Sequence, residues 1–308
     1  MEDRQQVDIL QLLNSGKQIN VCAPMVRYSK LPFREVVRKY NVDIAYTPMM
    51  LADVFRASEF GREDFTTNSS DTPLVIQFAA NNYKDFSEAA ELVAPYTDGL
   101  DLNCGCPQKW AIKDGYGSYL LKKPELVADM VKAVKNRVNV PCSIKIRIYD
   151  NDSDTVELVR RAIAANVDWI TVHGRTKKQS SNEPVNMDAI KLIKQISSVP
   201  IIANGGIFSY SDAQNLYSYT GVNGVMSARG LLENPALFSN HKTTPLDCIK
   251  DYVNLAIKYG TNHFIFHHHL MYMFEGIMSS SEKKTFNSLT SISMILDHLY
   301  QYYNIECY

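Results

Sequence analysis

The chain has 308 residues, of which 45% are hydrophobic and 21% charged, and its formal net charge is −1. This length fits one large domain with a small one, or two medium domains. The balanced charge excludes a global electrostatic attraction to nucleic acid. The first eighteen residues are too polar and acidic for a signal peptide, and no run of about 18 apolar residues predicts a membrane span.

Cysteine usage indicates a reducing compartment. Six cysteines are spread over the chain without a secretory signal, so we expect reduced thiols in a cytoplasmic and/or nuclear protein. Cys104 and Cys106 lie one residue apart in LDLNCGCPQKW, residues 100–110. A disulfide between them is disfavoured, because so short a loop would be strained.

Short apolar runs rich in β-branched residues recur along the first three quarters of the chain. They lie at 19–25, 42–48, 73–80, 99–105, 142–148, 169–174, 200–206 and 224–230. Amphipathic helical patterns separate most of them, which predicts parallel strands joined by helical crossovers. Eight such units predict a (β/α)8 TIM barrel. A doubly wound open sheet is the alternative, because the number of units alone does not establish closure.

The pattern changes after about residue 240. From there the apolar residues recur at three- and four-residue spacing, which is typical of helices, and no strand pattern remains. The polar segment 239–245 ends in a proline and marks the junction. We therefore predict a barrel domain over residues 1–240 and a small all-helical domain over residues 241–308.

Residues that could take part in binding or catalysis cluster where the predicted strands end. They are Pro24, Met25, Gln77, Asn103, Cys104, Cys106, Lys145, Arg147, His173, Arg175, Asn204, Gly205, Gly206, Ala228 and Arg229. Each taken alone has an ordinary structural explanation. Their shared position favours a functional site, because parallel barrels collect such residues at the carboxyl ends of their strands.

The last two strand ends carry glycine-rich turns, Asn204-Gly205-Gly206 and Ala228-Arg229-Gly230. Glycine lets backbone N–H groups approach an anion, and a following helix N-terminus adds its positive dipole end. Arg229 can add charge-assisted hydrogen bonds. Two ordinary turns are the alternative, but the barrel pattern favours a phosphate-bearing cofactor.

The two neighbouring cysteines have different expected environments. Zinc would need three or four suitably spaced ligands, and no second cysteine pair follows, so we expect no metal site. Strand alternation sends Asp101 and Asn103 to one face and Leu102 and Cys104 to the other. Cys106 follows the strand end and is therefore the expected reactive thiol at the barrel mouth.

Seven motifs, in order along nearly the whole chain, resemble those of the tRNA-dihydrouridine synthase family. They read APMVRYSKLPFR, IQFAAN, DLNCGCPQ, IKIR, VHGRT, IANGGI and SARGLLENP. Two longer stretches, CAPMVRYSKLPFR and NCGCPQKWAIKDGYG, resemble most the eukaryotic branch that modifies D-loop positions 20a and 20b. No single motif carries the resemblance.

The resemblance implies an FMN-dependent reduction of the C5=C6 bond of uridine in tRNA, with NADPH (or NADH) as reductant. It implies that Cys106 donates a proton to C5 as general acid. The cofactor-binding residues it implies are Pro24, Met25, Val26, Gln77, Lys145, His173, Asn204, Gly205, Gly206, Ala228 and Arg229. Those it implies for the substrate are Asn103, Arg147 and Arg175.

The resemblance also implies a flexible loop over residues 112–120 that closes on the RNA. One departure is visible: the family commonly has an acidic residue where this chain has Gly206, which puts the affinity for FMN in question. We expect a monomer. The alternatives are a flavoenzyme acting on a free pyrimidine or small enone, and an RNA-binding scaffold on a retained barrel.

Overall fold

The computed structural model describes residues 4–63 and 65–306. The start of the predicted barrel domain (residues 1–3), residue 64 within it, and the end of the predicted helical domain (residues 307 and 308) lie outside the described residues. The described residues form one parallel sheet of nine strands. They are β1 (Ile19–Cys22), β2 (Ile44–Tyr46), β3 (Met50–Leu51), β4 (Leu74–Ala79), β5 (Gly99–Cys104), β6 (Cys142–Arg147), β7 (Trp169–His173), β8 (Ile201–Asn204) and β9 (Gly224–Ser227).

The sheet closes on itself. β1 pairs with both β2 and β9, and β2 also pairs with β4, with Ala45 opposite Leu74. Eight strands therefore form the closed barrel, and the alternative of an open sheet is wrong. The two-residue strand β3 was not predicted; it pairs with the end of β4 beside the barrel mouth.

Helices alternate with the strands and continue after the barrel. They are α1 (Ile9–Leu13), α2 (Leu31–Arg38), α3 (Ala52–Ala57), α4 (Tyr83–Val93), α5 (Lys109–Lys113), α6 (Pro124–Arg137), α7 (Asp152–Ala164), α8 (Met187–Ile196), α9 (Tyr210–Thr220), α10 (Arg229–Glu233), α11 (Leu246–Lys258), α12 (His263–Met273), α13 (Ser280–Asn287) and α14 (Ile292–Tyr303). Side-chain caps start several of them, as Asn82 does for α4 and Ser209 for α9. Within the described ranges, no helix is long and apolar enough to span a membrane.

The barrel interior has an apolar lower layer and a polar upper layer. The lower layer includes Ile44, Tyr46 and Trp169, and Ile9 and Leu13 of α1 pack against it from below. The upper layer holds polar side chains that strand alternation turns inward. They are Gln77, Asp101, Asn103, Ser143, Lys145, Thr171 and Asn204.

The helices after the barrel pack against its first βα unit. α11 contacts α2, and Lys39 forms an ion pair with Asp251 at 2.8 Å. His269 Nε2 on α12 lies 3.1 Å from the carbonyl oxygen of Tyr28 in the loop after β1. The predicted fold of a TIM barrel followed by C-terminal helices is confirmed. The division into domains at residue 240 stays a prediction.

Candidate active site

Strand alternation separates the two cysteines as expected. Asp101 and Asn103 point into the barrel and join its polar layer. Leu102 and Cys104 are fully buried among apolar residues on the outer face. Burial raises the pKa of the Cys104 thiol well above its ordinary value. Because the side chain is fully buried, this thiol has no access to a reacting group.

Cys106 is a half-buried free cysteine held on two sides. Its backbone N–H donates to Asn103 Oδ1 at 2.9 Å, and its carbonyl oxygen accepts from the Ser118 N–H at 2.9 Å. Gly117 has a φ of +59°, and a Cβ there would lie 2.7 Å from the Cys106 carbonyl oxygen. The chain can cover Cys106 this closely only because residue 117 lacks a side chain.

The covering segment is more regular than expected. We predicted a flexible loop over residues 112–120, but this segment contains the end of α5 and the start of a 3₁₀ turn over Gly117–Lys122. Tyr116 is buried and packs with Ala79 and Ala111, and Cys106 lies against the same cluster. The Cys106 thiol therefore lies against a packed segment at the barrel mouth.

Lys145 places a cation inside the polar layer. Its Nζ donates to Asn204 Oδ1 at 2.9 Å, and Asn204 Nδ2 donates to the Met226 carbonyl oxygen at 2.8 Å. Burial, and then the neighbouring Arg147, lower the pKa of Lys145 to about 8. The ammonium is therefore mostly charged near neutral pH but close to the pH at which it loses its proton.

His173 is neutral in this environment. Burial and the surrounding cations, first Lys145 and then Arg147, lower its pKa to about 2. Its Nε2 lies 3.2 Å from the Arg175 guanidinium. Of the lysine and the histidine predicted beside the cofactor, only Lys145 supplies positive charge near neutral pH.

The two arginines predicted to orient the substrate are largely engaged by backbone. Arg147 donates to the carbonyl oxygens of Gly105 and Thr176, each at 3.0 Å. Arg175 is buried and donates to the Glu183 carbonyl oxygen at 2.6 Å. Both therefore fix loops around the mouth, and Arg147 ties β6 directly to the turn that carries the thiol.

The two glycine turns line one cavity of about 190 Å³. Gly205 and Gly206 have φ values of +116° and +72°, which favour glycine. Arg229 donates to the Ser181 carbonyl oxygen at 2.9 Å, and its guanidinium lies 5.2 Å from the centre of the Phe208 ring. Further lining residues are Arg147, His173, Arg175, Asn204, Ile207, Met226, Ser227, Ala228 and Gly230.

The predicted residues of the first strand end lie elsewhere at the mouth. Met25 is buried in the large apolar core, and Pro24 is partly buried. Val26 is exposed and lines a separate cavity of about 210 Å³ with Thr47 and Met49. The structure thus does not bring Val26 to the cavity formed by the glycine turns.

Sequence reasoning missed Asp101 as a site residue. This fully buried carboxylate accepts hydrogen bonds from Gln77 Nε2 at 2.7 Å and Ser143 Oγ at 2.6 Å. Burial raises its pKa to about 6. An inward-facing aspartate within an apolar strand was the available signal, since buried carboxylates need partners.

Histidines of α12 form hydrogen-bond contacts with other groups of the protein. His267 Nε2 lies 2.9 Å from the Phe286 carbonyl oxygen, and Tyr28 Oη lies 3.1 Å from His268 Nδ1. Among residues 4–63 and 65–306, no group of three or more histidines, cysteines or acidic residues is placed to hold a metal ion.

The fold and this site define a (β/α)8-barrel protein with its functional groups at the carboxyl ends of the strands. The chain belongs to the dihydrouridine synthase (Dus) family, whose model matches residues 21–301.

Relatives agree with this assignment. A tRNA-dihydrouridine(20a/20b) synthase (NAD(P)+)-like protein of Mus musculus is 52% identical over 97% of this chain and 93% of its own length. The tRNA-dihydrouridine(20a/20b) synthase (NAD(P)+) of Saccharomyces cerevisiae is 46% identical over 91% of this chain and 79% of its own. A 2-naphthoyl-CoA reductase complex shares the fold, with a TM-score of 0.54 and 9% identity over 72% of this chain and 49% of that one.

Proposed function

We propose that the protein is an FMN-dependent tRNA-dihydrouridine synthase that uses NADPH (or NADH) to reduce uridines at D-loop positions 20a and 20b. The observation that carries the proposal is the position of Cys106, a half-buried thiol fixed by Asn103 and Ser118 at a mouth that also holds Lys145. The family and the names of the 20a/20b relatives support the substrate.

The residues at the mouth fit FMN. A cavity of about 190 Å³ is walled by backbone at Gly205, Gly206 and Gly230, where a Cβ at Gly230 would lie 2.2 Å from the Ile207 carbonyl oxygen. Arg229 brings positive charge to this cavity, which suits a phosphate. Pro24, Met25, Val26 and Gln77 stay proposed contacts of the ring system. When held by these residues, FMN would supply a hydride to C6 of uridine.

Cys106 supplies the proton. The Cys106 S–H would donate its proton to C5 of the base, because reduction at C6 would place negative charge at C5 and O4. Lys145 stabilises negative charge within the polar layer, where the low dielectric strengthens its effect. Asn103, Arg147 and Arg175 stay proposed contacts of the base; the first two also hold the Gly105–Cys106 turn.

An exposed basic and aromatic surface beside the mouth suits RNA. The Arg27 guanidinium lies 5.8 Å from the centre of the exposed Phe264 ring on α12. These residues and Lys30 line an open cavity of about 710 Å³ between the loop after β1 and α12. Aromatic rings and arginine planes stack on unpaired bases, and cations attract the phosphate backbone. We propose that tRNA binds here, and that one monomer suffices.

Single-turnover reduction of unmodified tRNA by the NADPH-reduced protein tests the proposal. Mass spectrometry of nuclease fragments then locates dihydrouridine. Wild type should form dihydrouridine at positions 20a and 20b. Cys106→Ala should bind FMN but form no dihydrouridine. Cys104→Ala is the matched control and should keep activity, because that thiol is buried outside the barrel interior.

Two results would replace the proposal. Wild type that holds FMN and reduces free pyrimidines but not tRNA would indicate a small-molecule flavoenzyme. Wild type that binds tRNA without FMN would indicate an RNA-binding scaffold.

A further inference from the structure

Asp101 lies in the barrel interior and is hydrogen-bonded to Gln77, a proposed contact of FMN. It is fully buried and does not line the cavity of the glycine turns. Its two carboxylate oxygens accept from Ser143 Oγ and Gln77 Nε2. Its negative charge opposes the lowering of the Lys145 pKa by burial and Arg147, but this does not explain its hydrogen bond to Gln77.

A chain of hydrogen bonds links Asp101 to the thiol turn. Gln77 Nε2 donates to Asp101, and Gln77 Oε1 accepts from Asn103 Nδ2 at 2.9 Å. Asn103 Oδ1 then accepts from the backbone N–H groups of Gly105 at 3.1 Å and Cys106 at 2.9 Å. The chain thus runs from a buried carboxylate to the amide of the proposed acid.

The two ends of this chain fix its direction. The Asp101 oxygen beside Gln77 accepts, so Gln77 must turn its NH2 toward it. The Cys106 N–H can only donate, so Asn103 must turn its oxygen outward. Both amides satisfy their neighbours in one orientation only, and reversing either one leaves buried groups unpaired.

We propose that Asp101 is a positioning residue for Cys106, acting through the orientation of Gln77 and Asn103 to hold the Gly105–Cys106 turn. What it supplies is an acceptor at a fixed place. An amide oxygen can replace it, since the side chain introduced by Asp101→Asn could turn its NH2 to Ser143 Oγ, whose hydroxyl also reaches the Leu100 carbonyl oxygen at 3.1 Å. The catalytic consequence rests on the proposed function; the positioning does not.

Hydrogen exchange of the Gly105 and Cys106 amides, resolved residue by residue, tests the inference. Asp101→Leu removes the acceptor but keeps the same branched skeleton, and exchange at these two amides should accelerate about tenfold, the effect of losing roughly 1.4 kcal/mol of local protection. Asp101→Asn and Ser143→Ala keep an acceptor for Gln77 and should exchange as wild type does.

Alkylation of Cys106 by iodoacetamide, mapped by mass spectrometry, gives a second readout. It should be faster in Asp101→Leu and unchanged in the two controls. If Asp101→Leu does not fold, Gln77→Leu breaks the next link and should release the same two amides. Exchange that rises equally in all strands, or stays unchanged at Gly105 and Cys106, would overturn the inference.

The rate of tRNA reduction adds the catalytic consequence. Asp101→Leu and Asp101→Asn both remove the negative charge that acts on Lys145, but only Asp101→Leu removes the acceptor for Gln77, so single-turnover tRNA reduction should be slower in Asp101→Leu than in Asp101→Asn. Equal rates in these two variants would overturn the role at Cys106. A wild type that forms no dihydrouridine would count against the proposed function alone, because the exchange experiment needs no activity.

Discussion

Lys145 Nζ donates to Asn204 Oδ1 over 2.9 Å, which joins a half-buried cation on β6 to the strand end that begins the first glycine turn. The lysine is thereby fixed by the same residue that starts the cavity wall. The hydrogen bond thus fixes the position of the Lys145 ammonium relative to the cavity of the glycine turns.

The charge on Lys145 makes stability depend on pH. Burial lowers its pKa from 10.5 to about 8, so between these values the unfolded chain binds more protons and stability rises with pH. Comparing wild type with Lys145→Met by urea unfolding, we expect the difference to shift in favour of wild type by about 1 kcal/mol between about pH 7.5 and 9. A difference that stays constant over this range would contradict a lowered pKa.

Gly117→Ala should damage the thiol site. Its Cβ would meet the Cys106 carbonyl oxygen at 2.7 Å and the Cys106 Cβ at 2.8 Å, and such overpacking costs about 1–3 kcal/mol. We expect a lower urea midpoint and slower dihydrouridine formation. Gly115→Ala is the matched control, because Gly115 also has a positive φ but its nearest neighbour, Asn81 Cβ, is 3.4 Å away. Equal losses in both variants would show that backbone strain alone matters.

Arg229→Met should weaken FMN binding. The guanidinium lines the glycine-turn cavity, and losing one or two charge-assisted hydrogen bonds to a phosphate costs roughly 1.5–3 kcal/mol, or about ten- to a hundredfold in affinity. Fluorescence titration of the apoprotein with FMN measures it. Arg161→Met, on the outer surface of α7, should leave the affinity unchanged. Unaltered affinity in Arg229→Met would move the phosphate elsewhere.

Asp71→Asn should destabilise the protein strongly. Arg34 and Asp71 form a buried ion pair at 2.6 Å, and Arg38 adds a second contact at 3.1 Å. Breaking a buried pair leaves an uncompensated charge and costs about 3–5 kcal/mol near neutral pH. Asp150→Asn, in the exposed pair with Lys178, should not move the urea midpoint.

The pH dependence of this effect has a defined sign. Burial opposes ionisation of Asp71, but Arg34 and Arg38 outweigh it and lower its pKa. The stability that Asp71 contributes is therefore present above the ordinary aspartate pKa of 3.8 and is lost as the pH falls through the lowered value. The difference between wild type and Asp71→Asn should shrink in acid, and one that grew there would contradict the lowered pKa.

Local pattern predicted the barrel and the contrast between its two cysteines. Strand alternation alone separates Cys104 from Asn103, and the strand end at Cys104 exposes Cys106. Long side chains were harder to place, because partners of Arg147 and Arg175 lie on loops whose positions depend on the whole barrel. For the same reason the hydrogen bond of Asp101 to Gln77, 24 residues away in sequence, could not be predicted from either strand.

The apolar lower layer and α1 close the bottom of the barrel, with Ile9 and Leu13 buried there. The half-buried Cys106 lies at the opposite, open end of the barrel. In the proposed reaction RNA binds at that same end, so the substrate and the solvent that restores the proton of Cys106 share one end of the barrel.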